Sequence, residues 1–255
     1  MTSSALGEAV GPAQATPQQT QPGRPRLVTA EGIRSVGRAL GMRDLSIKAV
    51  AGQLDVTPAA IYRQVPNRWA LEELVGESIL EELKIEDAAA NSAQEHLLSF
   101  AFQLRDFALK NPGIASYLQV LFPRGAEGKR LLSTEVAALQ RRGYRPEAAI
   151  MLCSAVASVS ISIAASEEHD AIARHRHGAE FQEARHRINR ELSTDPALGP
   201  ALSGLPDIGT EDYVRLLLAA VVGGLITAAP VNRSVADVIS TLSYQSASRL
   251  EKDDL

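Results

Sequence analysis

The sequence predicts an all-α fold. Hydrophobic residues make up 45% of the chain but aromatic residues only 4%, so a core must come mainly from Leu, Ala, Val and Ile. Strands are usually marked by aromatic and β-branched enrichment. From Thr29 onward apolar residues recur three and four positions apart, the spacing of one helix face. No convincing strand pattern and no repeat period interrupts it. At about 100–200 residues per domain, 255 residues allow one or two domains.

Each element follows from local signals. Residues 1–23 are rich in Pro, Gln, Ala, Thr and Ser, too polar to offset ordering entropy, and predict a disordered tail over 1–25. The tail ends in Gly23-Arg24-Pro25-Arg26, which suits either a solvated linker or a basic arm for a minor groove. A first helix is expected at about Thr29–Leu40, carrying Ile33, Val36 and Leu40, with Gly41 placed to end it. Ser46 should cap a short helix that turns Val50, Ala51 and Leu54 inward. Asp55-Val56 makes a turn. Thr57 as N-cap and Pro58 as first helical residue start a third helix, Pro58–Val65. Pro66 stops it, and Asn67 caps a fourth helix carrying Leu71, Leu74, Val75, Ile79 and Leu83. Later helices are expected at about Ala93–Lys110, Ile114–Leu121, Glu127–Arg142, Pro146–Glu168, Glu211–Ala229 and Ser234–Leu250. Between them, His169–Gly209 reads as a polar loop with a helix at Ala179–Leu192.

Charge is unevenly placed. The net charge is −4, yet residues 24–68 sum to +5 and residues 69–255 to −8. A basic module on an acidic body suits attraction to phosphates on one face. The single cysteine, Cys153, excludes an internal disulfide and a Cys-based zinc site, and its apolar neighbours suggest a buried side chain. No uninterrupted apolar run reaches about 18 residues, and the N-terminus lacks the pattern of a signal peptide. The expectation is a cytoplasmic protein that does not engage a membrane.

The segment from Leu45 to Val65 holds two short helices joined by a tight turn, which is a helix-turn-helix. The second helix of such a unit lies in the major groove. Ala59 and Ala60 are small enough for close approach and can meet a thymine methyl. Thr57 and the first-turn N–H groups suit a phosphate, and Tyr62 can donate to one. Arg63 and Gln64 have the reach to read guanine and adenine edges.

Ala49-Val50-Ala51, Leu54-Asp55-Val56, then Ile61-Tyr62-Arg63-Gln64-Val65-Pro66-Asn67-Arg68 and Leu71 resemble the DNA-binding region of tetracycline-repressor (TetR) family regulators over about 45 residues. The resemblance implies phosphate contacts from Thr57, Tyr62 and Arg68, and from Lys48 or Ser46. It implies base readout from Pro58, Ala59, Ala60, Arg63 and Gln64. Asp55 departs from the family's usual turn glycine, at a residue type that tolerates the left-handed region. Trp69 follows Arg68 where the family varies; packing under the module is favoured over DNA contact. The implied organisation is a tail over 1–25, a DNA-binding domain over 26–72, and a ligand-binding and dimerisation domain over 73–255.

Leu139 to Tyr144, the Ala/Ser-rich long helix, and Tyr213 to Leu225 resemble the tetracycline-type subclass, which pairs two helices per subunit as a four-helix dimer interface. Small residues allow such close approach, with Ala157, Ser158, Ile161, Ala165, Ala220, Gly223 and Gly224 as interface candidates; intramolecular packing would use them equally well. Candidates to line an effector pocket are Phe100, Gln103, Phe107, Tyr117 and Leu121, which also serve as plain core. The function expected is a bacterial homodimeric repressor, released from a palindromic DNA operator when a small-molecule ligand shifts the fourth helix. A helical enzyme or an interaction module without DNA binding is the alternative. No catalytic residue, cofactor or metal is expected. Gly125-Ala126-Glu127-Gly128-Lys129 lacks the spacing of a phosphate loop, with Arg130 where Ser or Thr belongs. His169, His175, His177 and His186 stand among arginines that oppose a cation.

Overall fold

A computed structural model describes residues 28–120 and 122–240. The proposed tail and its basic arm, Leu121, and residues 241–250 of the expected last helix lie outside the described residues, among which no strand occurs.

Helix α1 (Ala30–Asp44) starts at Thr29, whose hydroxyl accepts from the Gly32 N–H. Gly41 breaks its path at φ 74, ψ 161, and one further turn precedes Leu45. Ser46 caps α2 (Ile47–Gln53) by accepting from the Ala49 N–H. Asp55 adopts φ 54, the left-handed geometry expected of the turn. Helix α3 (Pro58–Tyr62) is shorter than expected, because residues 63–67 leave the helix in turns while Val65 stays buried. Thr57 makes no side-chain cap: its backbone carbonyl takes the Ala60 N–H at 2.9 Å, the donor a capping hydroxyl would use. Asn67 caps α4 (Arg68–Leu80) by accepting from Ala70 N–H.

Helix α5 (Ala93–Lys110) opens with a reciprocal capping box between Ser92 and Glu95. Then follow α6 (Ile114–Leu118), α7 (Ala126–Arg141), α8 (Pro146–Thr194), α9 (Leu198–Ser203) and α10 (Thr210–Ala228); residues 235–240 are helical again. The expected polar loop after Glu168 is instead helix through Thr194, broken at Gly178 (φ 39, ψ −108). Arg, Ala and Glu, all good helix formers, supply 12 of residues 169–194, so its polarity marks an exposed helix. Asp195-Pro196 ends it.

One hydrophobic core runs from Ile33 to Val238, with α5 and α7 against α8 at its centre. The expected domain boundary at 72/73 falls inside α4, which gives Leu71 and Val75 to the N-terminal helices and Leu80 to the body. An 18-residue window of α8 reaches a mean hydropathy of 2.1, although serines interrupt every long apolar run; 56% of that window is buried, as in a core helix.

Ion pairs distant in sequence fasten the elements. Arg105, with its side chain only 6% exposed, holds Glu167 of α8 at 2.7 Å and Glu211 of α10 at 2.9 Å, and those carboxylates raise its pKa further. Glu77 of α4 accepts from the Glu127 and Gly128 N–H groups, so it caps α7 from outside. A side chain at Gly125 would sit 2.4 Å from that carboxylate.

Candidate nucleic-acid interface and effector cavity

Helix α2 packs on α1 and α3 packs on α2, with Ile33, Val50, Ala51 and Ile61 in the shared core. This turns Thr57, Pro58, Ala59, Tyr62, Arg63 and Gln64 outward as a continuous exposed surface, with Tyr62 50% exposed. Lys48 is exposed on α2 beside it, and Ser46 is half-buried in its cap. Ala60 is a correction: only 6% exposed, it shares the inward face with Ile61 and cannot reach a base edge. Adjacent residues are 100° apart on a helix, so Ala59 and Ala60 cannot both lead the same face.

Arg68 is exposed at the start of α4 and pairs with Glu72 at 2.7 Å. The same carboxylate lies 3.5 Å from Arg124. Arg124 stacks between the rings of Trp69 and Tyr117, at 4.9 and 4.4 Å from their centroids. Trp69 therefore does not pack under the helix-turn-helix; it is 54% exposed and meets the guanidinium. Buried against Gly76, Tyr117 donates to Glu77 at 3.1 Å, and burial above all raises its pKa.

A cavity of about 500 Å³ opens among α4, α5, α7, α8 and the segment after α6. Its wall is mostly apolar, with Leu80, Phe100, Leu104, Phe122, Leu131 and Ile161. Glu135 contributes a carboxylate, and Gln119, Ser154, Ser158 and Ser162 are its remaining neutral polar residues. Cys153 also lines it, and burial pushes its thiol up to about 12.

Against solved structures, the chain is similar to ActR from Streptomyces coelicolor without ligand: TM-score 0.66, 19% identity, covering 80% of this chain and 98% of that one. ActR with actinorhodin matches at TM-score 0.66 and 21% identity, over 80% and 98%. A single-residue variant of TetR from Acinetobacter baumannii with minocycline matches at TM-score 0.54 and 15% identity, over 78% and 95%. The chain has the fold of the TetR-family regulators. No family model matches the chain, and no curated protein does.

On this TetR fold the effector candidates separate. Phe100 lines the cavity. Gln103 does not; its amide bonds the backbone of Glu86 and the Ser99 hydroxyl. Phe107 is half-buried against the core, and Tyr117 faces Gly76 and Arg124, both outside the lining. Sequence reasoning missed Glu135 and its partner His96. The available signal was a charged or polar residue at a core position, with Glu135 in phase with Leu131, Ala138 and Leu139, and His96 in phase with Phe100.

The dimer candidates also divide. Ala157, Ile161 and Ala165 are 8%, 3% and 5% exposed, packed inside this chain. The outward stripe of the TetR fold's α8 lies one residue away, at Ile150, Ser154, Ser158, Ser162 and Ser166. On α10, Tyr213, Leu216, Ala220 and Gly224 face outward and Gly223 is half-buried.

Proposed function

We propose that this chain is a TetR-family transcriptional regulator: a homodimeric repressor that binds a palindromic operator and releases it when a small molecule enters the cavity. The observation that carries the reading is the outward surface of α3, bearing Thr57, Pro58, Ala59, Tyr62, Arg63 and Gln64 on a framework of three short helices. In this reading Arg63 and Gln64 read bases, with Pro58 and Ala59 beside them. Thr57, Tyr62, Arg68, Lys48 and Ser46 meet phosphates. The DNA-binding domain spans 26–72 and the remainder, 73–255, senses and dimerises. The outward faces of α8 and α10, with Tyr213 and Leu216 56% and 62% exposed, supply the four-helix interface. The function requires no catalytic step.

Two features support an effector role for the cavity. Its size and apolar lining suit a small organic molecule, and proteins of this fold have been solved in complex with actinorhodin and with minocycline. Phe122 and Pro123 of its wall adjoin Arg124, which touches Trp69 and Glu72 on α4. An occupant that displaces this edge thereby displaces the helix next to the recognition element, and it must favour the released form by a few kcal/mol.

The test is selection of random duplexes by the purified protein. A palindromic motif with half-sites about 34–36 Å apart is expected; recovery of unselected sequence overturns the reading.

A further inference from the structure

Among the described residues the cavity has one charged lining residue, and it is deeply buried. Glu135 is 2% exposed. A carboxylate in apolar surroundings is costly unless hydrogen-bonded or paired. Its Oε2 lies 3.0 Å from Nε2 of His96, which is fully buried; among the described residues this is the carboxylate's one hydrogen bond. Behind the imidazole, Nδ1 lies 3.1 Å from Asp87. Arg141 and Arg142 hold Asp87 at 2.6 and 2.5 Å. Arg142, Asp87, His96 and Glu135 thus stand in a row from the surface to the cavity, although the approach of His96 Nδ1 to Asp87 lacks hydrogen-bond geometry.

An ionised carboxylate accepts about four hydrogen bonds, so Glu135 retains acceptor capacity where the rest of the wall is largely Leu and Phe. Gln119 and the serines of α8 are neutral. We propose, resting on the effector reading above, that the cavity takes an amphipathic amine. Its apolar body fills the Leu- and Phe-lined space, and its protonated nitrogen donates to Glu135. His96 is a positioning residue that holds the carboxylate in place. An ammonium supplies opposite charge and N–H donors together, which makes the stronger, charge-assisted bond. An alcohol supplies one neutral bond, and a carboxylate brings like charges together.

The test uses three probes of one shape, 2-naphthylmethylamine, 2-naphthalenemethanol and 2-naphthoate, titrated calorimetrically into the full chain at neutral pH. Leu132→Trp, which puts a larger side chain into the cavity wall, locates the binding. The amine should bind at least about tenfold tighter than the alcohol, the carboxylate weakest, and Leu132→Trp should weaken all three. Glu135→Gln should reduce the amine's advantage over the alcohol to within about threefold. His96→Asn should reduce the amine preference partially. Equal or tighter binding of 2-naphthoate in the wild type overturns the amine inference while leaving the effector site standing, and needs no variant to fold. So does a folded Glu135→Gln protein that keeps the preference. If no probe binds, or if Leu132→Trp leaves every affinity unchanged, the effector reading itself falls, and this inference with it.

Discussion

The helix-turn-helix and the body are built on opposite plans. Helices α2 and α3 have 7 and 5 residues, too short to persist alone in water. They are held by local caps and by dense packing of Ile33, Val50, Ile61 and Leu71, each fully buried. In the body, α5 and α8 have 18 and 49 residues, and contacts distant in sequence, such as Arg105 with Glu211, fasten them around an open cavity. The difference assigns the work. On the proposed function, the dense, short-helixed unit meets DNA and the hollow body takes the effector.

The largest effect should come at the joint between the two regions. Gly113 has φ +86, and a side chain there would meet the Arg43 backbone at 2.4 Å; Gly41 has φ +74 with nothing within 4 Å. Gly113→Val should cost about 3 kcal/mol or more, and Gly41→Ala about 1 kcal/mol. Thermal unfolding checks this; equal losses would mean that the close approach at Gly113 contributes nothing beyond backbone strain.

Within the reading unit, Arg63→Ala should cost about 1–3 kcal/mol and relax preference at one base position. Arg68→Ala should weaken all sequences alike and lower the salt slope by about 1. Binding titrations at several salt concentrations separate the two roles; identical behaviour of the variants would contradict the assignment.

The smallest effect concerns the body alone. Hydrogen bonds from Arg142, foremost, hold the Asp87 carboxyl at about 2, below its usual 3.8. Because the folded value is the lower one, this contribution is complete above about pH 4 and is lost as pH falls toward 2. It amounts to about 1–2 kcal/mol, allowing for solvent screening. Urea unfolding should show that loss in the wild type and a smaller one in Arg142→Met.

The same contrast explains what is legible in the sequence. Ser46, Asn67 and Asp55 act on residues two or three positions away, so their roles follow from adjacency, and α2 and the start of α4 are readable without the structure. Glu135 and His96 meet across 39 residues, and no local rule pairs them. The outward face of α8 includes Ser158 but lies one residue from Ala157, Ile161 and Ala165, because Ala and Ser alternate too evenly to fix its phase; Ala157 and Ser158 look interchangeable until a neighbour buries one. The helix expected at Ala179–Leu192 is present, but its extension over 169–178 escapes sequence reading because those residues bury almost nothing, leaving no apolar stripe to reveal the period.

Glu72 divides one negative charge between Arg68, at the start of α4, and Arg124, next to Pro123 of the cavity rim. On the proposed DNA-bound form, a phosphate competes for Arg68 and leaves more of that charge to Arg124, tightening the rim. Linkage makes the traffic two-way: whatever operator DNA does to effector affinity, effector does to operator affinity by the same factor. Replacing this carboxylate should therefore uncouple both directions equally, leaving a protein that still holds each partner but no longer trades one for the other.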